Sequence, residues 1–145
     1  MYKVEFMKCK LVREKECCYD FINAPSDAAD ILLDIGLDEA AEEYVYLLCL
    51  NSRGEITAVH EVAHGSLSEC TVTSKSVFKR ALLSNAASVI IAHNHPSGDP
   101  APSQCDIDIT EKMKKSGMLL DIPVIDHLVI SSDKTWYSFK ANGLI

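Results

Sequence analysis

No apolar run in this sequence approaches the roughly 18 residues of a helical membrane span, so an integral membrane protein of that kind is not expected. The opening stretch, MYKVEFMKCKLVREKE, alternates apolar and charged residues and lacks the apolar centre of a signal peptide. The expectation is a soluble, cytoplasmic chain. Cysteine is present, but not in the spacing of a zinc site. Cys9, Cys17, Cys18, Cys49, Cys70 and Cys105 contain no CxxC pair, and all six read as reduced thiols. Cys49, inside an apolar run, reads as buried. Positive charge is in the minority, with 14 Lys and Arg against 21 Asp and Glu and a net charge of −7. That opposes tight non-specific binding to nucleic acid, which relies on neutralising phosphates. The small clusters Lys79–Arg80 and Lys112, Lys114, Lys115 read as solvated helix faces. Repeats, low-complexity tracts and linkers are also missing. The chain of 145 residues, 48% of them hydrophobic, therefore reads as one domain, residues 1–145, with one ordinary core.

The elements follow from periodicity. Residues 2–14 alternate and predict a strand or hairpin. APSDAADILLDIGLDEAAEE predicts a helix, with Ser26 as its cap, Ile31, Leu32 and Ile35 as its apolar face and Gly36 ending or breaking it. YVYLLCLN (44–51) is a near-continuous apolar run, as in a strand covered on both faces. SRGE is a turn, and ITAVHEVA completes a hairpin. Ser74–Ser84 predicts a helix. SVIIAH (88–93) predicts a short buried strand that delivers His93 at its carboxyl end, where α/β sheets usually place chemistry. A further helix is expected from Ser103 to Ser116, with Gly117 past its end. PVIDHLVI (123–130) predicts a strand, and WYSF (136–139) a last short one. The class is α/β or α+β, a mixed sheet with helices against it.

The informative segment is HNHPSGDPAPSQCD, residues 93–106. In an extended chain, residues i and i+2 point to the same side, so His93 and His95 can converge on one ion. Neutral imidazole is a good zinc ligand, although the pair alone is a weak signal. Ser103 and Asp106 have the spacing of a capping box, which by itself accounts for both. The readings are compatible, because a helix N-terminus would hold Asp106 rigidly facing the loop. Pro96, Pro100 and Pro102 stiffen that loop. Two imidazoles and one carboxylate leave a fourth position open, the arrangement of a catalytic rather than a structural zinc. Glu42 and Glu43, directly before the buried strand, are candidates for a general base.

The order His93-x-His95, seven residues, Ser103, two residues, Asp106 resembles the JAMM motif of the JAB/MPN+ metalloprotease superfamily. The longer string AHNHPSGDPAPSQCDIDIT, with DIPVIDHLVI and the ending WYSFKANGLI, resembles its RadC-like branch. The resemblance spans about residues 26–145 and leaves 1–25 as an N-terminal extension. It implies the JAB/MPN (cytidine-deaminase-like) fold, a curved mixed β-sheet flanked by helices. It implies Zn2+ held by His93, His95 and Asp106, and Ser103 stabilising an oxyanion. The upstream glutamate of the family falls on Glu42, with Glu43 as the alternative. The implied activity is hydrolysis of a peptide or isopeptide amide bond by a metal-activated water. The alternative is a DNA-repair-associated or scaffold module with little or no hydrolase activity. RadC-like proteins often carry a helical N-terminal region. This chain has only a short segment there, so a DNA role from such a module is not expected.

The partners implied are a protein or peptide substrate. DNA binding is expected to be weak at best, no membrane partner is expected, and a homodimer stays open. Cys105 reads as a spectator, because successive helix residues point about 100° apart. His127 reads as a satisfied core histidine, or as one that supports a ligand from behind. His60 and His64 read as surface or structural. Ser97, Asp99 and Asp126 are candidates for shaping the loop.

Overall fold

The computed structural model describes residues 21–65 and 71–145. The strand or hairpin expected at 2–14 lies outside those residues. Three helices, α1 (Pro25–Asp34), α2 (Ser74–Leu83) and α3 (Gln104–Leu119), accompany five strands. These are β1 (Tyr44–Leu50), β2 (Ile56–His64), β3 (Ser88–His95), β4 (Val124–Ser131) and β5 (Trp136–Ser138). The sheet order is β2-β1-β3-β4-β5. β3 pairs in parallel with β4, and every other pair is antiparallel. This is the open mixed α/β sheet expected from the sequence.

Both faces of the sheet are covered, which is why β1 and β3 read as nearly continuous apolar runs. Val45, Leu47, Cys49, Val89 and Ile91 pack with Val77, Phe78 and Ala81 of α2 and Ile109 and Met113 of α3. Leu48, Leu50, Ile90, Ala92, Leu128 and Ile130 pack with Ala28, Ala29 and Leu32 of α1. Strand residues alternate between faces. Ile91, His93 and His95 therefore share the α2–α3 face. The parallel register sets His127 beside Ile91 and so puts it on that face as well.

Three local expectations need correction. The N-cap of α1 is Ala24, not Ser26. Pro25 supplies a helical φ at the first position, and the Asp27 carboxylate accepts from the backbone N–H groups of Asn23 (2.7 Å) and Ala24 (2.9 Å) in place of a serine cap. Gly36 does end this segment, at φ +80°, and a single 3-10 turn, Leu37–Glu39, follows instead of more helix. Helix α3 does not stop at Ser116. It passes through Gly117 to Leu119. A Cβ on Gly117 would stand 2.4 Å from the Ile122 carbonyl oxygen and 3.3 Å from Phe78. This glycine serves close packing, not termination. β3 also extends to His95, two residues past the expected end, so both histidines belong to one strand.

Candidate metal centre

The carboxyl end of β3 carries His93 and His95 onto one face, and the amino end of α3 brings Asp106 against them. Ser103 caps α3 as its spacing predicts. Its Oγ accepts from Asp106 N–H (3.1 Å), and the Asp106 carboxylate accepts from Ser103 N–H (2.8 Å). The box fixes the Asp106 rotamer, and the positive end of the helix favours its charge. Asp106 Oδ1 lies 3.2 Å from His93 Nε2, and Oδ2 lies 3.2 Å from His95 Nε2. The two Nε2 atoms are 2.9 Å apart. His93 and Asp106 are buried, and His95 is half-buried. Among the described residues, these three form the one His/Cys/Asp/Glu group able to hold a metal ion.

The hydrogen bonds behind the cluster decide which ring nitrogens face inward. His95 Nδ1 lies 2.8 Å from the Asp99 carbonyl oxygen. A carbonyl only accepts, so Nδ1 carries the proton and the neutral ring turns the Nε2 lone pair inward. His93 Nδ1 lies 2.7 Å from Nε2 of the buried His127. Burial pushes His127 well below the ordinary imidazole value, which keeps it neutral. Burial also works to raise the Asp106 carboxyl. The neighbouring imidazoles and the Ser103 N–H outweigh it and hold the group far below the usual carboxylate range. The same carboxylate raises His95 above the ordinary histidine value, against burial. Two imidazole nitrogens and a carboxylate oxygen converging at these distances suit a small divalent cation. The donor set therefore fits a metal.

The loop expectations are met in part. Asp99 shapes the turn through its carbonyl and through its carboxylate, which accepts from Ala101 N–H. Asp126 serves elsewhere. It accepts from His127 N–H, Ser138 Oγ–H and Lys140 N–H, and so fixes the C-terminal turn to β4. Cys105 is half-buried and packs against the α2–α3 core. His60 pairs with Ser84 (2.6 Å).

The two glutamates part company. The exposed Glu42 carboxylate pairs with His64, whose ring stacks on Tyr44. Glu43 is half-buried, and its charge helps to raise His95. Sequence reasoning missed the residue that sets this segment. Asn94 stands between the two histidines and is buried. Its Oδ1 accepts from Tyr44 N–H (2.7 Å), and its Nδ2 donates to the Glu42 carbonyl (2.9 Å). Gly65 N–H donates to the Glu43 carbonyl (2.8 Å). Glu43 is thus bracketed on both sides and held from below. A cavity of about 450 Å³ opens here, lined by Ala41, Glu42, Glu43, Gly65 and Pro96. The signal for Asn94 was its position: a polar residue at a buried strand end needs backbone partners.

Residues 22–144 match the family model described as "RadC-like JAB domain". The chain is 42% identical over 123 residues to a UPF0758 protein of Roseiflexus castenholzii, which covers 85% of this chain and 52% of that protein. It is 39% identical over 124 residues to a UPF0758 protein of Clostridium beijerinckii, covering 86% and 53%. Against a UPF0758 protein of Clostridium botulinum the identity is 37% over 124 residues, covering 86% and 54%. The chain spans about half the length of these curated relatives. Their shared name states no activity.

Proposed function

This chain belongs to the RadC-like JAB domain family, and on that premise we propose that it is a zinc-dependent hydrolase of peptide or isopeptide amide bonds. The observation that carries the reading is the convergence of His93 Nε2, His95 Nε2 and the Asp106 carboxylate, with Nδ1 of each ring already engaged outside the cluster. Zinc in such a site supplies Lewis acidity that makes water a competent nucleophile near neutral pH. The protein's own residues do the rest. Of the two glutamates the sequence leaves open, Glu43 is the better base. Its backbone is clamped by Asn94 and Gly65, its field reaches His95, and the Glu42 carboxylate is drawn to His64. Glu43 takes the proton released by the attacking water and returns it to the leaving amine. Ser103 Oγ accepts from Asp106 N–H and donates to no protein acceptor among the described residues. Its proton is available to the oxygen that gains charge.

The substrate we propose is an extended protein segment lying in the cavity beside Glu43, where Gly65 and Ala41 leave room for a backbone. Direct DNA binding is not part of this reading, given the net charge of −7. Among the described residues, no helix is long and apolar enough to cross a membrane.

The test is elemental analysis of zinc-replete protein, followed by a screen of peptide and isopeptide substrates. One zinc per chain is expected, lost in the His93→Ala, His95→Ala double variant, with cleavage lost alongside it. Stoichiometric zinc persisting in the double variant would refute the ligand set. Zinc uptake without cleavage of any substrate in the screen would favour the scaffold reading.

A further inference from the structure

Behind the centre, four groups form an unbroken chain across three elements. His93 Nδ1 meets His127 Nε2 at 2.7 Å. His127 Nδ1 meets Thr110 Oγ1 at 2.5 Å, and Thr110 Oγ1 meets the Asp106 carbonyl at 2.6 Å. His127 and Thr110 are buried, and the His127 ring stacks on Phe139 with 4.6 Å between centroids and 14° between planes.

The proton positions along this chain follow from what each atom can do. The Asp106 carbonyl can only accept, so the single Thr110 hydroxyl proton points to it. Thr110 Oγ1 then accepts, and His127 Nδ1 carries the donated proton. A neutral His127 has a bare Nε2, so His93 Nδ1 carries the proton of that pair. The His93 Nε2 lone pair is thereby turned toward Asp106 and His95. For a neutral His127 each step follows from the one before it, and the starting point is a backbone carbonyl that cannot change its role. That carbonyl belongs to Asp106, itself one of the three converging residues, so the chain closes on the centre it serves.

We propose that His127 and Thr110 are positioning residues that set the His93 tautomer and orientation for metal binding, tying β3, β4 and the first turns of α3 into one donor–acceptor circuit. The inference rests on the metal reading above. It gives a polar role to a buried histidine of β4, and it explains a threonine one turn below Asp106. Metal-bound histidines generally donate their second N–H to a carboxylate, carbonyl or water. Here the acceptor is a second imidazole, whose own proton must be parked on Thr110 for its Nε2 to accept.

The experiment uses the full chain and zinc itself. Long-range ¹H–¹⁵N correlation spectra of the imidazole rings in the zinc-loaded protein should show His93 protonated at Nδ1 and His127 protonated at Nδ1 only. Zinc affinity is measured by chelator competition. His127→Leu and Thr110→Val should weaken it by roughly 10–100-fold, the usual effect of losing such a support. His127→Gln, whose side-chain oxygen can still accept from His93, and Thr110→Ser, which keeps the hydroxyl, should recover most of the loss. Loss of the Phe139 stack alone would weaken the Leu and Gln variants equally. His127 protonated at Nε2 in the zinc-loaded protein would overturn the inference, as would wild-type affinity in both His127→Leu and Thr110→Val. The spectra of the unmodified chain decide the matter if a variant fails to fold. Absence of zinc uptake by the unmodified chain would overturn the metal reading first, and this inference with it.

Discussion

Replacing Asn94 should loosen the mouth of the sheet without touching a metal ligand. The side chain makes two bonds to the backbone of a segment 50 residues away, one to Tyr44 N–H and one to the Glu42 carbonyl. Asn94→Ala removes both. Each bond contributes about 1 kcal/mol net, and a part-buried N–H left without an acceptor costs about 1 kcal/mol more. The sum is about 2–3 kcal/mol. For a domain of this size, each kcal/mol moves the midpoint by roughly 2–4 °C, so Tm should fall by about 5–10 °C. Asn94→Asp sharpens the test. It keeps an acceptor for Tyr44 N–H but sets a carboxylate oxygen against the Glu42 carbonyl. It should be at least as destabilising at neutral pH and should recover in acid, where a protonated carboxyl can donate to that carbonyl. The assay is thermal unfolding by far-UV circular dichroism in chelator, with zinc stoichiometry measured separately. Midpoints for both variants within about 2 °C of the unmodified chain would show that the clamp contributes nothing and would remove the main support for placing the base at Glu43.

Once a substrate is found, Glu43→Gln should keep zinc and lose about 10²–10⁴-fold in rate, the usual contribution of a general base; Glu42→Gln should lose far less, and the reverse pattern in steady-state kinetics would restore the role to Glu42. Zinc at a hundred times its Kd should stabilise the chain by about 2.7 kcal/mol over the chelator-treated form, and an unchanged unfolding curve would refute metal binding to the folded state. Gly117→Ala should cost about 1–3 kcal/mol, the range for forcing atoms into a filled space, because its Cβ would meet the Ile122 carbonyl at 2.4 Å; urea unfolding measures this. Burial pushes the Cys49 thiol up to about 11, so at pH 8 about one molecule in a thousand carries the thiolate; peptide mapping after native alkylation should find Cys49 unmodified, and rising pH should increase its labelling.

Much of this protein is local and therefore legible. The apolar runs of β1 and β3 declare strands covered on both faces, and the i, i+2 spacing of His93 and His95 declares two imidazoles on one side. The Ser103–Asp106 interval declares a capping box. All of these depend on a few neighbouring residues and the geometry of one element. The start of α1 was misread because Pro25 and Asp27 together do what Ser26 alone was expected to do. Gly117 was misread because the need for glycine there comes from Ile122, which approaches only after the chain turns at Asp121.

The roles left open were those that depend on partners distant in sequence. Nothing local separates Glu42 from Glu43; the difference appears when the end of β2 brings His64 to one and Gly65 to the other, and when Asn94 bonds the peptide groups on either side of Glu43. Nothing local tells a packed core histidine from one that supports a ligand. We assign His127 to the second kind because the parallel register of β3 and β4 sets it behind His93, and because α3 lowers Thr110 onto its far nitrogen. The sequence by itself determined which side chains can meet a metal, since ligand type and spacing are properties of a strand and a helix start. The tertiary structure decided which ring nitrogens turn toward Asp106 and which of the two glutamates pairs with His64, since a proton's place on an imidazole and a carboxylate's direction are set by the groups packed against them.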